Sequence, residues 1–174
     1  DGTAWCWGYN QYGQLGDGST TSWSTPGVGA SGKTFTTLVA GSYHTCGLTA
    51  SGAAWCWGHN YYGQLGDGTF DQGWPQGKTT PVAVTGGKTF TSLVAGSQHT
   101  CGLTESGAAW CWGWNGYEQL GDGTTNQAST PVAVTGGKAF TTLATGSQHT
   151  CGLTATGAAW CWGNNQWGQL GDGT

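Results

Sequence analysis

The sequence predicts an all-β protein with a β-propeller architecture, and its internal repeat carries this prediction. The tetrapeptide Trp-Cys-Trp-Gly recurs at spacings of 50, 55 and 50 residues, and its four copies begin at Trp5, Trp55, Trp110 and Trp160. Each unit holds four short segments typical of strands, and no segment has the periodicity of an amphipathic helix. Four strands at this period are typical of a propeller blade. A solenoid with strands is the alternative, but its turns are usually shorter.

Four strands are predicted within one unit, at Pro81–Val84, Phe90–Ala95, His99–Thr104 and Ala108–Trp112. Gly, Thr, Asn and Asp separate them, as expected for turns. One strand of the fourth type near Trp5, followed by three full sets, predicts thirteen strands. The chain would therefore form four-stranded antiparallel blades of about 50 residues, a little over three in number.

The predicted boundaries follow the repeat. Residues 1–25 would close an incomplete blade, 26–66 form the first blade, 67–121 the second, and 122–174 the third with its following loop. Five extra residues lie in the second connection, around Phe70, Asp71, Gly73 and Trp74, and predict a longer surface loop. In the first unit 26–30 (Pro-Gly-Val-Gly-Ala) replaces Pro-Val-Ala-Val, so its innermost strand is expected to be weak.

The hairpin between the third and fourth strands predicts close cysteine pairs. Cys46 and Cys56 are symmetric about Ser51, which leaves a three-residue loop with Gly52 at its left-handed position. Counting outward from the turn places both cysteines on a non-hydrogen-bonded pair, where opposed side chains approach most closely. This geometry suits a disulfide.

Seven cysteines give three such pairs and one remainder. The pairs are Cys46–Cys56, Cys101–Cys111 and Cys151–Cys161. The partner of Cys6 would lie ten residues upstream, so we expect the sequence to start within a unit. Recurring pairs imply an oxidising compartment and predict an extracellular or cell-surface protein. Buried reduced thiols are one alternative. Zinc bound with His44 is another, although no further ligands converge in the repeat.

Composition excludes two classes of function. Of 174 residues only 7% are charged, against roughly 25% in typical domains, with four Lys, no Arg and a net charge of −4. Nucleic-acid binding therefore has almost no electrostatic basis. No apolar run is long enough to span a bilayer, so no membrane span is predicted. No cofactor and no metal site are predicted.

The ordered motifs Pro-Val-Ala-Val, Phe-Thr-x-Leu-x-Ala-Gly, His-Thr-Cys-Gly-Leu-Thr, Gly-Ala-Ala-Trp-Cys-Trp-Gly and Gly-Gln-Leu-Gly-Asp-Gly-Thr cover essentially the whole chain. In this order they resemble the regulator of chromosome condensation repeat. The resemblance implies a propeller, commonly of seven blades. The Trp-Cys-Trp-Gly version resembles the bacterial, exported branch of the family. Its best-known member activates a small GTPase on chromatin; the resemblance transfers the fold and leaves that activity without support in this sequence.

Residues repeated in every unit are expected to build the scaffold. They are Asp17, Asp67, Asp122 and Asp172 in the Gly-Asp-Gly turn, His44, His99 and His149 before the cysteine, and both tryptophans of Trp-Cys-Trp. The aspartates would accept backbone N–H bonds, with calcium binding as the alternative. The tryptophans would pack between blades. Glu105 and Glu118 each break a repeated position and are expected to be surface substitutions.

Function is expected to follow positions that differ between units. Two positions lie near an Asn in the loop after Trp-Cys-Trp-Gly. The position just before this Asn holds Tyr9, His59, Trp114 and Asn164, and the position two residues after it is always aromatic, with Tyr12, Tyr62, Tyr117 and Trp167. If these loops open on one face, their aromatic and amide groups would suit stacking on sugars or docking against a protein. Capping of the blade edges is the alternative.

The sequence holds no nucleophile elbow, no phosphate-binding loop and no isolated carboxylate pair. We therefore expect a non-enzymatic extracellular module that binds a protein or carbohydrate. Its open strand edges could pair copies into oligomers, rings or fibres. The alternatives are a guanine-nucleotide-exchange propeller acting on a small GTPase, and an enzyme with its site in the central channel.

Overall fold

The computed structural model describes residues 2–30, 32–74 and 76–174 and contains thirteen strands and no helix among them, which confirms the all-β prediction. The strands are β1 (Trp5–Gly8), β2 (Trp23–Val28), β3 (Thr37–Ala40), β4 (His44–Leu48), β5 (Ala54–His59), β6 (Gly77–Ala83), β7 (Ser92–Ala95), β8 (His99–Leu103), β9 (Ala109–Gly113), β10 (Ala128–Ala133), β11 (Phe140–Thr145), β12 (His149–Thr154) and β13 (Ala159–Gly163). No helix of the described ranges could cross a membrane.

The strands form four antiparallel sheets: β1-β2, β3-β4-β5-β6, β7-β8-β9-β10 and β11-β12-β13. The predicted unit began with the Pro-Val-Ala strand, whereas the two four-stranded sheets end with it. Thus β6 pairs with the preceding β5, with Val82 opposite Cys56 and Ala83 opposite Trp55. The predicted units 26–66, 67–121 and 122–174 each start with a strand that the structure places at the end of the preceding sheet. A repeat period fixes the length of a unit, while hydrogen bonding decides which strands it contains.

The strands β3, β7 and β11 lie innermost, because β7 contacts both β3 of the preceding sheet and β11 of the following sheet. Ser97 Oγ lies 3.1 Å from Ser42 Oγ and 2.8 Å from Ser147 Oγ at their ends. The Pro-Val-Ala strands are the outer edges. The segment 26–30 was expected to form a weak innermost strand, but its residues 26–28 belong to the outer strand β2. The ring of Trp23 occupies the space that a side chain at Gly27 would need, which explains this glycine.

Neighbouring sheets pack through two different faces. One face carries the cystine and the leucine of the central hairpin, and the other carries the second Trp of Trp-Cys-Trp and the Phe before the inner strand. Cys46, Cys56 and Leu48 pack in this way against Phe90 and Trp112 of the next sheet. The same arrangement recurs between the following pair of sheets. The interior is thus a series of similar interfaces.

The central hairpins match their predicted geometry. Gly52 has a φ of +77° and donates its N–H to Thr49 O at 2.9 Å. Thr49 N–H in turn donates to Ala53 O at 3.0 Å, and Cys46 lies opposite Cys56. The two Cα atoms are 4.1 Å apart, as expected for a closely approaching pair.

The Gly-Gln-Leu-Gly loop of each unit joins neighbouring sheets through the carbonyl of its Gln. Gln64 O accepts hydrogen bonds from Trp112 Nε1 and from Thr100 Oγ1, both at 3.0 Å. Equivalent bonds link Gln14 to the next sheet and Gln119 to the last. These bonds fix the loop, and with it the aromatic residues that the loop carries.

Candidate functional site

The three predicted cysteine pairs are joined at disulfide distance, with S–S distances of 2.14, 2.15 and 2.10 Å. Cys46–Cys56 and Cys101–Cys111 are fully buried, whereas Cys151–Cys161 is half-buried. Cys6 is half-buried and has no cysteine partner in the described chain. Burial first, and the nearby carboxylate of Asp17 second, raise the pKa of the Cys6 thiol. The six paired cysteines are structural, because each pair cross-links the two strands of one hairpin.

The repeated aspartates take the predicted turn role. Asp67 accepts hydrogen bonds from the backbone N–H and hydroxyl of Thr69, at 2.9 and 2.7 Å. It also accepts one from Asn60 Nδ2 at 3.3 Å, while Asn60 Oδ1 accepts from Leu65 N–H at 3.0 Å. Asn60 is completely buried, so it organises the loop from within. In the described ranges, no three His, Cys, Asp or Glu residues are placed to hold a metal ion.

The repeated histidines bridge neighbouring sheets. His44 Nε2 lies 2.8 Å from Thr100 Oγ1, and His99 Nε2 lies 3.0 Å from Thr150 Oγ1. Thr100 donates its own hydroxyl hydrogen to Gln64 O, so His44 Nε2 must be the protonated donor. Burial lowers the pKa of His44 to about 3 and that of His99 to about 4, which keeps both rings neutral. Both are scaffold residues.

The two tryptophans of each Trp-Cys-Trp differ in environment. The second tryptophan is completely buried between sheets in two copies, as Trp57 and Trp112, which confirms the prediction there. In the first copy the prediction is wrong, because Trp5 and Trp7 are 56% and 58% exposed. In the other three copies the first tryptophan lies under a lysine, with the amines of Lys33, Lys88 and Lys138 at 3.8, 4.0 and 4.2 Å from the rings of Trp55, Trp110 and Trp160. The fourth lysine, Lys78, pairs with Asp71 at 2.9 Å. Every lysine therefore has an intramolecular partner.

The structure brings five of the eight candidate surface residues into one continuous band. Ring centroids are 6.2 Å apart for Tyr9–Tyr12, 4.7 Å for Tyr12–His59, 6.2 Å for His59–Tyr62 and 4.8 Å for Tyr62–Trp114. We call these five residues the aromatic band. His59 is the buried member of the band, contrary to its predicted place on an exposed face. Because they come from three successive loops, the band crosses the boundaries between sheets.

The other three candidates lie apart from the band. Tyr117 and Trp167 are exposed, Trp167 to 88%. Asn164 is buried, and its Oδ1 accepts hydrogen bonds from Gln166 N–H and Gln169 Nε2. It also donates Nδ2 to Gln148 Oε1 at 3.1 Å. Asn164 therefore stabilises its loop and presents little surface, contrary to its predicted place on an exposed face.

A cleft of about 270 Å³ opens beside the centre of the band. Its lining consists of Tyr12, Tyr43, His59, Tyr61, Tyr62, Gln76 and Gln98, which we call the tyrosine cleft. The sequence prediction missed Tyr43, Tyr61, Gln76 and Gln98. Tyr43 and Gln98 occupy the same variable position, two residues before Thr-Cys, so the rule that selected the other candidates could have found them.

Family models of the regulator of chromosome condensation (RCC1) repeat match residues 1–48, 51–103 and 106–153, and, in a second form, 35–64, 90–119 and 140–169. Among curated proteins, the chain is 32% identical over 130 residues to the E3 ubiquitin-protein ligase HERC2 of Homo sapiens. That match covers 72% of this chain and 3% of HERC2.

Two solved structures extend the comparison. Prp20p of Saccharomyces cerevisiae, characterised for binding to Gsp1p and histones, has a TM-score of 0.81 at 23% identity, covering 98% of this chain and 43% of that one. The ectodomain of the Physcomitrella patens receptor kinase CR4 has a TM-score of 0.52 at 30% identity, covering 81% and 30%. The chain thus spans less than half the length of each of these similar proteins.

Proposed function

The chain belongs to the regulator of chromosome condensation (RCC1) repeat family, and from that premise we propose that it is a non-enzymatic, extracellular module that presents aromatic loops to a protein or carbohydrate. The aromatic band carries this proposal. It is built from two loop positions, of which one differs in every unit and the other is always aromatic. Its rings contact one another across loops, and all but His59 keep exposed surface, as is typical of recognition surfaces.

Binding of a protein or sugar is favoured over catalysis by the roles already taken in the scaffold. The buried histidines bridge sheets, and the repeated aspartates hold turns. The histidines and aspartates that recur in every unit therefore have structural roles. Binding to other proteins also occurs in the family fold, since Prp20p is characterised for binding to Gsp1p and histones.

Export is supported by the three cysteine pairs, which persist in oxidising compartments. The likeness to the CR4 ectodomain, which lies outside the cell as part of a receptor, points the same way. The bacterial, exported branch of the family is the form that the Trp-Cys-Trp-Gly motif favours. The alternative, an exchange factor for an intracellular small GTPase, requires reduced cysteines and faster nucleotide release.

The test is binding of the intact protein to arrays of glycans and of extracellular proteins. A ligand that the wild-type protein binds should lose about tenfold or more in affinity with Tyr12→Ala or Trp114→Ala. Trp160→Ala, which removes an exposed tryptophan outside the band, is the control and should bind normally. Ligand binding that survives both band substitutions, or the absence of any ligand, would contradict the proposal.

A second proposal concerns association between copies. Among the described strands, β1 pairs only with β2, and β13 pairs only with β12, so each has an unpaired edge. Such edges are templates for strand pairing. We propose that copies associate through these edges, and sedimentation over a range of concentrations tests it. A single species with the mass of one chain at every concentration would contradict it.

A further inference from the structure

We propose that the tyrosine cleft binds a single neutral hexopyranose. This inference rests on the proposed function and names a ligand class for one part of the aromatic loop face. The cleft shares three residues with the aromatic band. Unlike the band, it is concave, and amides as well as aromatic rings line it.

His59 forms the floor of the cleft, with only 7% of its surface exposed. Gln64 Nε2 lies 2.7 Å from His59 Nδ1, and because an amide nitrogen can only donate, Nδ1 accepts and Nε2 carries the proton. Burial lowers the pKa of His59, partly opposed by a hydrogen bond with the Gln76 side chain. The ring is therefore neutral near pH 7, with its N–H directed toward the Gln76 amide.

Four tyrosines form the walls. Tyr61 stacks parallel to His59 with centroids 6.4 Å apart, and Tyr62 lies edge-on to Tyr61 at 4.9 Å. On the opposite side Tyr12 and Tyr43 meet at 5.4 Å. The electron-rich faces of such rings attract the slightly positive C–H groups of a pyranose, which is the usual way that proteins hold a sugar ring.

The polar groups of the lining match a sugar's hydroxyl groups. Gln76 and Gln98 contribute amides that donate and accept, and the tyrosine hydroxyls do both, just as each sugar hydroxyl does. No residue in the lining is charged. The nearest lysine in the chain, Lys78, is held by Asp71 at 2.9 Å and is not available as a counterion. A neutral polyhydroxy ligand therefore fits better than an anion or a cation.

The size of the cleft favours one sugar ring over a protein surface. Its volume of about 270 Å³ lies just below the range of roughly 300 to 1,000 Å³ typical for drug-sized ligands. A protein partner would instead cover roughly 800 Å² on each side, and would use the band as a whole.

The cleft is built by residues peculiar to one junction between units. At the next junction Trp114 replaces His59 and Gly116 replaces Tyr61. The indole lies over Gly116, where a Cβ would be only 2.3 Å from it, so the ring fills the space that is open at the first junction. At the third, Asn164 binds Gln148 and closes that position with a hydrogen bond. A generic loop cap would not need these differences.

The direct test is NMR of the intact protein, with its tyrosine rings labelled, titrated with methyl glycosides of glucose, galactose, mannose and N-acetylglucosamine. At least one glycoside should give saturable shifts of the tyrosine ring signals, with a dissociation constant in the millimolar range. Tyr117→Ala removes an exposed ring outside the cleft and serves as the control, which should leave binding unchanged.

Two variants use residues that the repeat already accepts. Tyr43→Gln copies Gln98 and Gln148, and Tyr61→Gln copies Gln11 and Gln166, so neither should disturb folding. Each should weaken glycoside binding at least tenfold. The double change His59→Trp with Tyr61→Gly reproduces the filled junction and should abolish binding; near-ultraviolet circular dichroism checks that it is folded.

Two results would overturn this inference: no saturable shift with any glycoside, or unchanged affinity in both glutamine variants. A protein ligand found on the arrays that depends on Trp114 would leave the proposed function standing while the glycosides fail. Array binding that is unchanged by Trp114→Ala, together with saturable glycoside shifts, would contradict the role of the band and leave the ligand of the cleft standing.

Discussion

His44 donates a hydrogen bond from Nε2 to Thr100 Oγ1 across 2.8 Å, and the two residues belong to different sheets. Both side chains are buried, and Thr100 passes its own hydroxyl hydrogen to Gln64 O. The loop of one unit is thereby tied to the strands of two sheets. The same relay recurs with His99 and Thr150.

Thr100→Val should test the strength of this relay. The substitution keeps the side-chain shape but leaves the buried His44 N–H without a partner, so we expect a loss of about 1–3 kcal/mol in the free energy of unfolding. Thr45→Val is the matched control, because Thr45 Oγ1 donates to Gln14 O but is only partly buried. Urea unfolding measures both; equal losses for the two variants would contradict a special role for the His–Thr pair.

Stability should fall as the pH falls below about 6.5, the ordinary pKa of histidine in an unfolded chain. Burial lowers the pKa of His44 to about 3 and that of His99 to about 4 in the folded protein, so the unfolded chain binds more protons in between. Each histidine should cost about 1.4 kcal/mol per pH unit in this window.

Unfolding midpoints in urea at pH 7, 6 and 5 measure this dependence, above the range in which most carboxylates titrate. His99→Gln should reduce the slope, since one of the depressed groups is gone. A stability that is level between pH 7 and 5 would show that these rings are not held neutral by burial.

The three disulfides should differ in their resistance to reduction. Cys46–Cys56 is fully buried between sheets, while Cys151–Cys161 is half-buried. In mild reductant without denaturant we therefore expect Cys151 and Cys161 to be alkylated before the two buried pairs. Mass spectrometry of the alkylated protein measures the order. Without reductant, only Cys6 should be labelled, and slowly, because its thiol pKa is raised.

Removing the pair with Cys46→Ala and Cys56→Ala should cost roughly 2–3 kcal/mol, the value for a closed loop of this length. The same double change at Cys151 and Cys161 serves for comparison. Simultaneous reduction of all three pairs under native conditions would count against the burial argument.

Glu118 occupies a left-handed position, with a φ of +64°, where the other units have Gly13, Gly63 and Gly168. Glu118→Gly should therefore raise the free energy of unfolding by about 0.5–1 kcal/mol, after allowing for the greater freedom of glycine in the unfolded chain. Thermal unfolding measures the gain. Glu105→Gly, at a turn position outside the left-handed region, should give no gain; a gain of equal size there would contradict the explanation.

Local geometry could be predicted from the sequence, and long-range grouping could not. The hairpin around Gly52 follows from the symmetric spacing of Cys46 and Cys56, which involves neighbours in the chain only. The Pro-Val-Ala strand was assigned to the wrong sheet because a period gives no starting point. The segment 26–30 was placed innermost for the same reason, whereas residues 26–28 lie in the outer strand β2.

The candidate site was predicted in part. The loop position of Tyr12 and Tyr62 was found because it is aromatic in every unit. Tyr43 lies at a variable position that the same rule could have selected, whereas Gln76 comes from a separate segment that only the fold brings to the cleft. Asn164 was misplaced because an amide in a loop can face solvent or satisfy backbone groups, and its hydrogen-bond partners decide which.

The placement of each cystine within one hairpin has a consequence for oxidative folding. A chain with seven cysteines in nearly identical surroundings could form many wrong pairs. Here the partners are always ten residues apart, and a loop of that length closes within about 10–100 ns, far faster than distant segments meet. Native pairing is thus the kinetically nearest one in every hairpin, so a repetitive chain can acquire its cross-links one hairpin at a time without a shuffling step.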